Sequence, residues 1–372
     1  MKALKDKFLG SRLREAREIN GFTITDLAER LEITKQAVSQ FESGKSYPSS
    51  ETIIRISNIL NFPLYFFSKP KDIPSLDSPV FFRSYSSATK FNRDRAKIKE
   101  SWLMEITTFL RKYFSFPKPN IPEFEISDFE NLTDEEIEDL ATAVRKHWGL
   151  GNGPINNLVR LLEINGVIVS RVSVVNEIDA FSNWRSIFPI VILGTSKRSA
   201  VRSRFDAAHE LGHLILHRNI SDDVQKDKNL FKKIEKQADK FAGAFLLPMD
   251  SFSNELLSIN IDFLKSLKSR WLVSMQSMVE RAFHLKLISD SQRGNFYRNF
   301  TPYKKKEPLD DIIPFEQPIL LSKSINMLVQ SGVLNNYSIV NSLGLRISDI
   351  AELVNVEKDF FSTESKVLDF IN

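Results

Sequence analysis

Two histidines and a glutamate, residue types that bind zinc and activate water in hydrolytic enzymes, lie within five consecutive positions of this chain. His209 and His213 are four residues apart, and Glu210 directly follows the first histidine. On an α-helix, this spacing places both imidazoles on one face about one turn apart. They can then ligate a single Zn²⁺ ion at roughly 2.0–2.1 Å. Glu210 lies at the edge of that face, where its carboxylate can accept the proton of an attacking water.

The neighbouring residues predict a helix that is buried except at its ligand face. Apolar side chains flank the polar trio on both sides: Ala207, Ala208, Leu211, Leu214, Ile215 and Leu216. Two imidazoles and a carboxylate are costly to bury without a metal ion or other partners. The pattern therefore favours a metal centre over a chance occurrence of the short motif.

A later segment carries a carboxylate that can complete the site. Glu235 follows His213 by 22 residues, which leaves room for a loop and a returning helix. We expect Glu235 to be the third protein ligand, since a catalytic zinc site keeps its fourth position for water. Asp239, one turn further on, is expected to accept the second N–H of a ligand histidine. His217 lies about 80° around the helix from His209 and is expected to pack or form a hydrogen bond.

Two stretches resemble the ImmA/IrrE family of metallo-endopeptidases. They read Phe-Asp-Ala-Ala-His-Glu-Leu-Gly-His-Leu-Ile-Leu-His (205–217) and Glu-Lys-Gln-Ala-Asp-Lys-Phe-Ala-Gly-Ala-Phe-Leu-Leu-Pro (235–248). The resemblance implies a zincin-like metallopeptidase domain, and some members of the family cleave or antagonise a repressor. The chain departs from the family at Ala244, where Glu is frequent, and at Asp206, where Ser or Thr is commoner.

The same resemblance implies the roles of the site residues. His209, His213 and Glu235 match the metal ligands, and Glu210 matches the general base. Neither departure touches this set, so both bear on substrate contacts more than on catalysis. A Zn²⁺ ion is the expected cofactor, and a protein, a repressor or the chain itself, is the expected substrate.

Three questions about this domain stay open in the sequence. A non-catalytic zinc-containing sensor or scaffold is the alternative to a peptidase, although such a site has no need of Glu210. Four residues are unranked candidates for stabilising the oxyanion: Tyr297, Tyr303, His284 and Arg204. Arg198, Arg202 and Arg204 precede the metal motif, and we favour surface solvation for them over contact with a substrate.

Composition indicates a folded chain of several domains. The 372 residues exceed the size of one ordinary core, and 42% apolar with 26% charged residues is typical of globular proteins. The absence of cysteine excludes disulfides and thiolate metal sites and fits a reducing compartment. No apolar run is long enough to span a membrane, and the first residues are unlike a signal peptide. We therefore expect a cytoplasmic protein without membrane contact.

The first 71 residues contain twelve lysines and arginines against eight acidic residues, a surplus equal to the +4 of the whole chain. This surplus is a weak indication of an anionic partner. Short helices with capping signals follow one another here, and two of them, joined at Glu32-Ile33-Thr34, predict a helix-turn-helix. The second would enter the major groove of double-stranded DNA.

The second helix of this pair, capped by Thr34, separates apolar from polar positions. Ala37, Val38 and Phe41 are predicted to face the core, whereas Lys35, Gln36, Ser39 and Gln40 lie on the open side. Gln can bond adenine with two hydrogen bonds, and Lys can reach guanine or a phosphate. Lys45 and Ser43 are placed for phosphates. The segment Thr-Lys-Gln-Ala-Val-Ser-Gln-Phe-Glu-Ser-Gly-Lys (34–45) resembles the Xre-type repressor domain; a protein-interaction module is the alternative.

The predicted fold is mostly α with a small β-sheet, of the α+β class. Four segments are expected: an all-α helix-turn-helix domain (1–70), a linker and long connector helix (71–130), a metallopeptidase domain (131–300) and a helical C-terminal region (301–372). The sheet should comprise 167–172, 179–182 and 189–193, with an edge along which a peptide could add. Trp102 lies on an apolar stripe of the connector, a packing or dimer seam. Residues 263–283 look like a second helix-turn-helix, for which we favour packing.

These expectations combine into one functional hypothesis. The chain is a DNA-binding regulator that binds an operator, as a possible homodimer on an inverted repeat, because one small reader has limited affinity alone. Its zinc domain cleaves a protein partner in the control of a phage, a mobile element or a stress response.

Overall fold

A computed structural model describes residues 8–71, 81–82, 89–126, 128–173, 179–197, 199–218, 220, 224 and 227–361. Arg198, named among the sequence expectations, lies outside this set. Described helices are α1 (Gly10–Ile19), α2 (Ile24–Leu31), α3 (Lys35–Glu42), α4 (Ser50–Leu60), α5 (Lys90–Leu110), α6 (Asp134–His147), α7 (Leu158–Ile164), α8 (Ala200–Leu216), α9 (Lys228–Leu246), α10 (Met249–Glu255), α11 (Ile261–Trp271), α12 (Met275–His284), α13 (Asp290–Phe300), α14 (Leu320–Gln330), α15 (Asn336–Leu343) and α16 (Ile347–Val354).

The described strands form one small sheet, which confirms the predicted α+β class. They are β1 (Phe81–Phe82), β2 (Ile168–Val172), β3 (Ala180–Arg185) and β4 (Phe188–Gly194). No helix among the described ranges is long and apolar enough to cross a membrane.

The contacts between residues divide the chain into two compact units. Unit 1 comprises Met1–Pro74, Ala88–Ser115 and Ile319–Asn372, and unit 2 comprises Ser75–Ser87 and Phe116–Pro318. Unit 1 therefore combines the N-terminal helices with helix α5 and the C-terminal helices. The division of the sequence into four functional segments stays a prediction beside this observation.

In unit 1 the first helices begin where the sequence provides caps. Thr23 forms a capping box with Asp26, and the Thr34 hydroxyl accepts a hydrogen bond from the backbone N–H of Ala37. Helix α2 ends at Glu32, whose φ of 56° reverses the chain. Such caps satisfy N–H groups that have no partner inside the helix, and they fix the turn between α2 and α3.

Helix α5 lies in the core of unit 1. The Trp102 side chain is fully buried, with ring centroids 5.7 Å from Phe62 and 6.2 Å from Phe66. Further along the helix, the buried Glu105 carboxylate accepts two hydrogen bonds from Arg12 of α1, at 2.6 and 2.8 Å. Of the two interpretations of the aromatic stripe, packing within the chain is therefore confirmed for Trp102.

The C-terminal helices pack within the same unit through a second set of ionic contacts. The Lys99 ammonium of α5 lies 2.6 Å from the Asp349 carboxylate and 2.7 Å from that of Glu352, both in α16. Arg346 donates to the Asn20 side chain at 3.0 Å and lies over the Phe62 ring. These residues connect segments that are about 250 to 330 positions apart in sequence.

Unit 2 has the small sheet, in the order β1-β3-β4-β2. Strands β2 and β4 are parallel, whereas β3 is antiparallel to β4 and to the two-residue strand β1. Strand β3 is buried along its whole length, and the Trp184 indole N–H donates to the Leu214 carbonyl of α8 at 3.0 Å. Strand β3 pairs with Phe81 and Phe82 through Ser182 and Phe181, and the addition of a peptide along an edge of the sheet stays a prediction.

Helices α11 and α12, the second element that looked like a helix-turn-helix, pack inside unit 2 as expected. Trp271, Met275 and Met278 are buried in the core that also includes residues of α8. The Glu307 carboxylate accepts a hydrogen bond from the Met275 N–H at 2.9 Å and contacts Lys268 at 2.9 Å. The first turn of α12 is thus covered by the chain itself.

Candidate metal centre and candidate nucleic-acid interface

Helix α8 presents the two histidines of the motif to the same point. The side chains of His209 and His213 are fully buried, and their Nε2 atoms are 3.0 Å apart. Buried alanine and leucine side chains flank them, as the sequence predicted. Since an α-helix repeats every 3.6 residues, the i, i+4 spacing produces this arrangement locally.

A glycine within the motif lets a second helix approach. A Cβ atom on Gly212 would lie 3.2 Å from the Phe241 ring and 3.3 Å from the backbone of Ala238, both in α9. A larger residue at this position would require the Phe241 ring and the Ala238 backbone to give way by a few tenths of an ångström. The cost of a glycine inside a helix, about 0.5–1 kcal/mol, is thus offset by close packing of α8 on α9.

Helix α9 contributes the carboxylate. Glu235 Oε1 lies 3.1 Å from His213 Nε2, and Glu235 Oε2 lies 3.5 Å from His209 Nε2. Among the described residues, these three side chains form a cluster whose ligand atoms all lie within 4.8 Å of one another. Ligands at 2.0–2.1 Å from a tetrahedral zinc ion are roughly 3.3 Å apart, so the observed distances fit that ion.

The contacts of Glu235 favour its charged form. Burial raises the pKa of Glu235, but hydrogen bonds and charge from the His209 and His213 rings, when these are protonated, outweigh burial and lower this pKa to about 2. The pKa of Glu235 is lower in the folded state than in the unfolded state, so ionised Glu235 stabilises the fold at pH values above its unfolded pKa. This stabilisation is lost as the pH falls towards 2. Near neutral pH, Glu235 is therefore a carboxylate, the form that a metal ion requires.

The two histidines differ in the partners of their second ring nitrogens. His209 Nδ1 lies 2.8 Å from Asp239 Oδ1, on the neighbouring helix, and the Asp239 side chain is 51% exposed. His213 Nδ1 lies 2.9 Å from Nδ1 of the fully buried His217. The expectation that His217 forms a hydrogen bond is confirmed. Burial lowers the pKa of both His213 and His217, which keeps them neutral at pH 7.

Glu210 is also fully buried, in the position next to His209 on α8. It is not a member of the three-residue cluster in the described part of the chain. The predicted separation of roles, with Glu210 outside the ligand set, is compatible with this position. Its role as a general base stays a prediction.

A cavity of about 960 Å³ opens beside Asp239. Its walls come mainly from helices α6, α8, α9, α12 and α13, with Met249 of α10, and include both acidic and basic side chains. The volume is near the upper end of ordinary ligand pockets, about 300–1,000 Å³. Lys197 lies in the same wall, 2.5 Å from the buried Asp206 carboxylate, so one position that departs from the resembled family has a local cation.

Two of the four oxyanion candidates lie in the wall of this cavity, whose lining includes Asp239 but not the three proposed ligands. His284 and Tyr297 line it, and the Tyr297 hydroxyl donates to Glu280 at 2.6 Å. Burial raises the pKa of Tyr297, so the hydroxyl keeps its proton at neutral pH. Arg204, by contrast, is only 3% exposed and pairs with Glu316. The preferred interpretation of Arg204 as a solvated surface residue is therefore wrong, because the guanidinium is held in the interior by a carboxylate and backbone carbonyls.

The predicted DNA-reading side chains share one surface of α3. Lys35, Gln36 and Ser39 are exposed, Gln40 is half-buried, and Lys45 is exposed just beyond the helix. Val38 is fully buried on the opposite side. These exposures are those that a major-groove reader requires, and the base and phosphate contacts themselves stay predictions.

Helix α1 holds this surface in place. Arg17 donates to both oxygens of the Glu42 carboxylate, at 2.6 and 3.0 Å, and both side chains are largely buried. Gly10 lies so close to the end of α3 that a Cβ atom would be 2.1 Å from the Phe41 carbonyl oxygen. The sequence does not predict these contacts between α1 and α3, because each contact joins residues of two different helices and belongs to no local pattern.

Two family models match the chain. Residues 13–67 match a helix-turn-helix family, and residues 166–283 match the IrrE N-terminal-like domain of the M78 peptidase family. The chain thus combines an N-terminal helix-turn-helix domain with a domain of a metallopeptidase family, which confirms the two resemblances drawn from the sequence. The three candidate metal ligands and most of the cavity wall lie within residues 166–283, the part that matches the M78 family.

Two curated relatives are similar to short parts of the chain. A protein of Pyrococcus furiosus, named as an HTH-type transcriptional regulatory protein, is 41% identical over 64 residues, 17% of this chain and 19% of that protein. The HTH-type transcriptional regulator ImmR of Bacillus subtilis is 38% identical over 53 residues, 14% of this chain and 42% of ImmR. The chain therefore matches less than half the length of either relative.

One solved structure aligns along most of the chain. The crystal structure of ComR from Streptococcus suis covers 95% of this chain, and 92% of the ComR chain is covered, at 13% identity and a TM-score of 0.15. A score this low carries no argument about the arrangement of the domains.

Proposed function

We propose that this chain, with its helix-turn-helix and M78 peptidase-family domains, is a cytoplasmic transcription regulator with its own zinc-dependent endopeptidase. The observation that carries this proposal is the convergence of His209, His213 and Glu235, at 3.0–3.5 Å. Asp239, which contacts His209, lines a cavity of about 960 Å³. The substrate would be a protein partner, such as a repressor that controls a phage, a mobile element or a stress response, or the chain itself.

His209, His213 and Glu235 would hold the metal. When bound, Zn²⁺ supplies the Lewis acidity that polarises a scissile carbonyl and makes water more acidic. Asp239 accepts the Nδ1–H of His209 and so keeps the Nε2 lone pair of that ring directed at the cluster. Glu210 accepts the proton of the attacking water and passes it to the leaving amine nitrogen. Tyr297 and His284, in the cavity wall, and Tyr303 are the remaining candidates for a hydrogen bond to the oxyanion.

Asp239 provides a prediction that separates support of the metal from catalysis. Asp239→Ala removes the acceptor of the His209 Nδ1–H without removing a ligand, so zinc affinity should fall by roughly 10–100-fold while some proteolysis remains at high zinc. Zinc affinity is measured by competition with a chelator. Lys236→Ala, a change of an exposed residue on the same helix, is the control. Unchanged affinity in Asp239→Ala would remove Asp239 from the site.

Unit 1 would bind an operator through the surface of α3. Lys35, Gln36, Ser39 and Gln40 would read bases, and Lys45 would contact a phosphate. The exposure of these side chains and the similarity to regulators named as HTH-type support this part of the proposal. A homodimer on an inverted repeat would provide the affinity that one small domain lacks.

A substitution in α3 tests the reading of bases. Gln36→Ala should cost roughly 1–3 kcal/mol of binding free energy on the cognate operator and leave binding to random DNA nearly unchanged, since a base contact carries sequence information. Binding is measured by fluorescence anisotropy at one fixed salt concentration, because phosphate contacts depend on salt. An equal loss on both DNAs would reassign Gln36 to a phosphate contact.

The experiment that tests the whole proposal is a search for the cleaved partner. The full chain is expressed together with the products of neighbouring genes, in the wild-type form and as Glu210→Gln, and each product is followed by immunoblot. A product shortened by the wild type alone is the expected result. If every product, and the chain itself, stays intact under all inducing conditions, the endopeptidase is excluded for that set of partners.

A further inference from the structure

The two proposed ligand histidines are oriented in chemically different ways. His209 is supported by a carboxylate at the edge of the cavity, an arrangement that the sequence already predicted. His213 is supported by another imidazole, that of His217, in a place without solvent access. The hydrogen bonds continue from His217 into the protein, and in each of them the donor and the acceptor can be assigned.

The assignment of donors and acceptors starts from a backbone carbonyl, because a carbonyl can only accept hydrogen bonds. The Gln237 side-chain nitrogen donates to the Phe129 carbonyl oxygen at 2.6 Å. This contact fixes the orientation of the amide, so the Gln237 Oε1 atom, 3.0 Å from His217 Nε2, is an acceptor. His217 must therefore have its proton on Nε2.

The consequence passes from His217 to the ligand. A neutral imidazole has one donor and one acceptor, so His217 Nδ1 accepts. Its partner at 2.9 Å, His213 Nδ1, must then be the donor. The lone pair of His213 is left on Nε2, the atom that lies 3.1 Å from Glu235. The backbone carbonyl of Phe129 thus selects the ring form of a residue three hydrogen bonds away.

We propose that His217 and Gln237 are positioning residues that hold His213 in the one tautomer able to bind the metal. This inference rests on the proposed metal centre and extends it. It assigns a purpose to two buried polar side chains, at 0% and 4% exposure, that the roles of ligand and general base do not use. It also explains why the hydrogen-bond chain ends on the backbone rather than on a carboxylate, since it orients His213 without adding negative charge.

Two substitutions of His217 distinguish orientation from mere packing. His217→Phe keeps the ring shape but removes the acceptor, whereas His217→Gln loses the ring but offers an oxygen to the His213 N–H. We expect the zinc affinity of the full-length chain to fall by roughly 10–100-fold in the Phe variant and to be largely kept in the Gln variant. If only packing matters, the ranking is reversed. Leu214→Ala, in the same buried helix, is the control for general destabilisation.

Zinc affinity is measured by competition with a chromogenic chelator, and ¹⁵N NMR of the histidine rings reports the tautomers. The chain has only five histidines, which makes their assignment practicable. The expected spectrum has the proton on Nδ1 of His213 and on Nε2 of His217. A proton on Nδ1 of His217, or equal affinity in wild type and both variants, overturns the inference alone. A wild-type chain that binds no zinc overturns both the inference and the metal centre.

Discussion

Replacement of Glu210 by glutamine is expected to leave zinc bound and the chain folded while cleavage of the protein partner falls by about 10²–10⁴-fold. Glutamine has nearly the shape of glutamate but cannot accept the proton of the attacking water. Glu210 is fully buried beside His209 and outside the described ligand cluster, so the substitution leaves the three ligands in place. Zinc content, thermal unfolding and partner cleavage are measured on the same preparations.

The same variant decides between the peptidase and the non-catalytic sensor. A reporter driven by the protein's own promoter shows induction, and immunoblots show whether the partner is cut. Loss of induction together with an intact partner in the Glu210→Gln strain supports a working protease. Normal induction with an intact partner in both strains contradicts it and favours a sensor or scaffold domain.

The second large expected effect is the loss of bound zinc when a proposed ligand is removed. Wild-type protein should contain about one Zn²⁺ per chain, and His209→Ala should contain little, because two ligands of one tetrahedral site remain. The substitution also leaves the Asp239 carboxylate without the imidazole that contacts it at 2.8 Å. Metal content is measured by mass spectrometry after dialysis against a metal-free buffer.

A control histidine makes the metal result specific. His147 lies in the last turn of α6 and is exposed, outside the cluster of described ligand residues. His147→Ala should keep the wild-type zinc content. Equal zinc in wild type and His209→Ala would refute the ligand assignment, whereas an equal loss in both substitutions would point to unfolding.

Local patterns predicted individual helices well. Thr34 caps α3 as predicted, and Thr133 and Glu136 form the capping box of α6. Both signals act within four residues, because a side-chain cap satisfies an N–H group of the first turn. The segments expected to be strands were found, with bounds that differ by at most three residues.

Local patterns do not predict contacts between segments that are distant in sequence. The sequence suggested that Arg204 is solvated, yet Arg204 is paired with Glu316, 112 residues later. The sequence predicts a connector helix at α5, whereas the structure buries its Trp102 in unit 1. Apolar or charged periodicity identifies the face that is buried, but the partner of that face depends on how helices pack.

The sequence by itself identified the residues of the candidate metal centre. The i, i+4 spacing of His209 and His213 is a property of one helix, and it holds wherever that helix lies. Only the tertiary structure decided how α8 and α9 meet, at Gly212, and that His213 is oriented through His217 and Gln237. The reason is physical: hydrogen bonds between helices require a particular approach of two backbones, which packing sets and a one-dimensional pattern does not record.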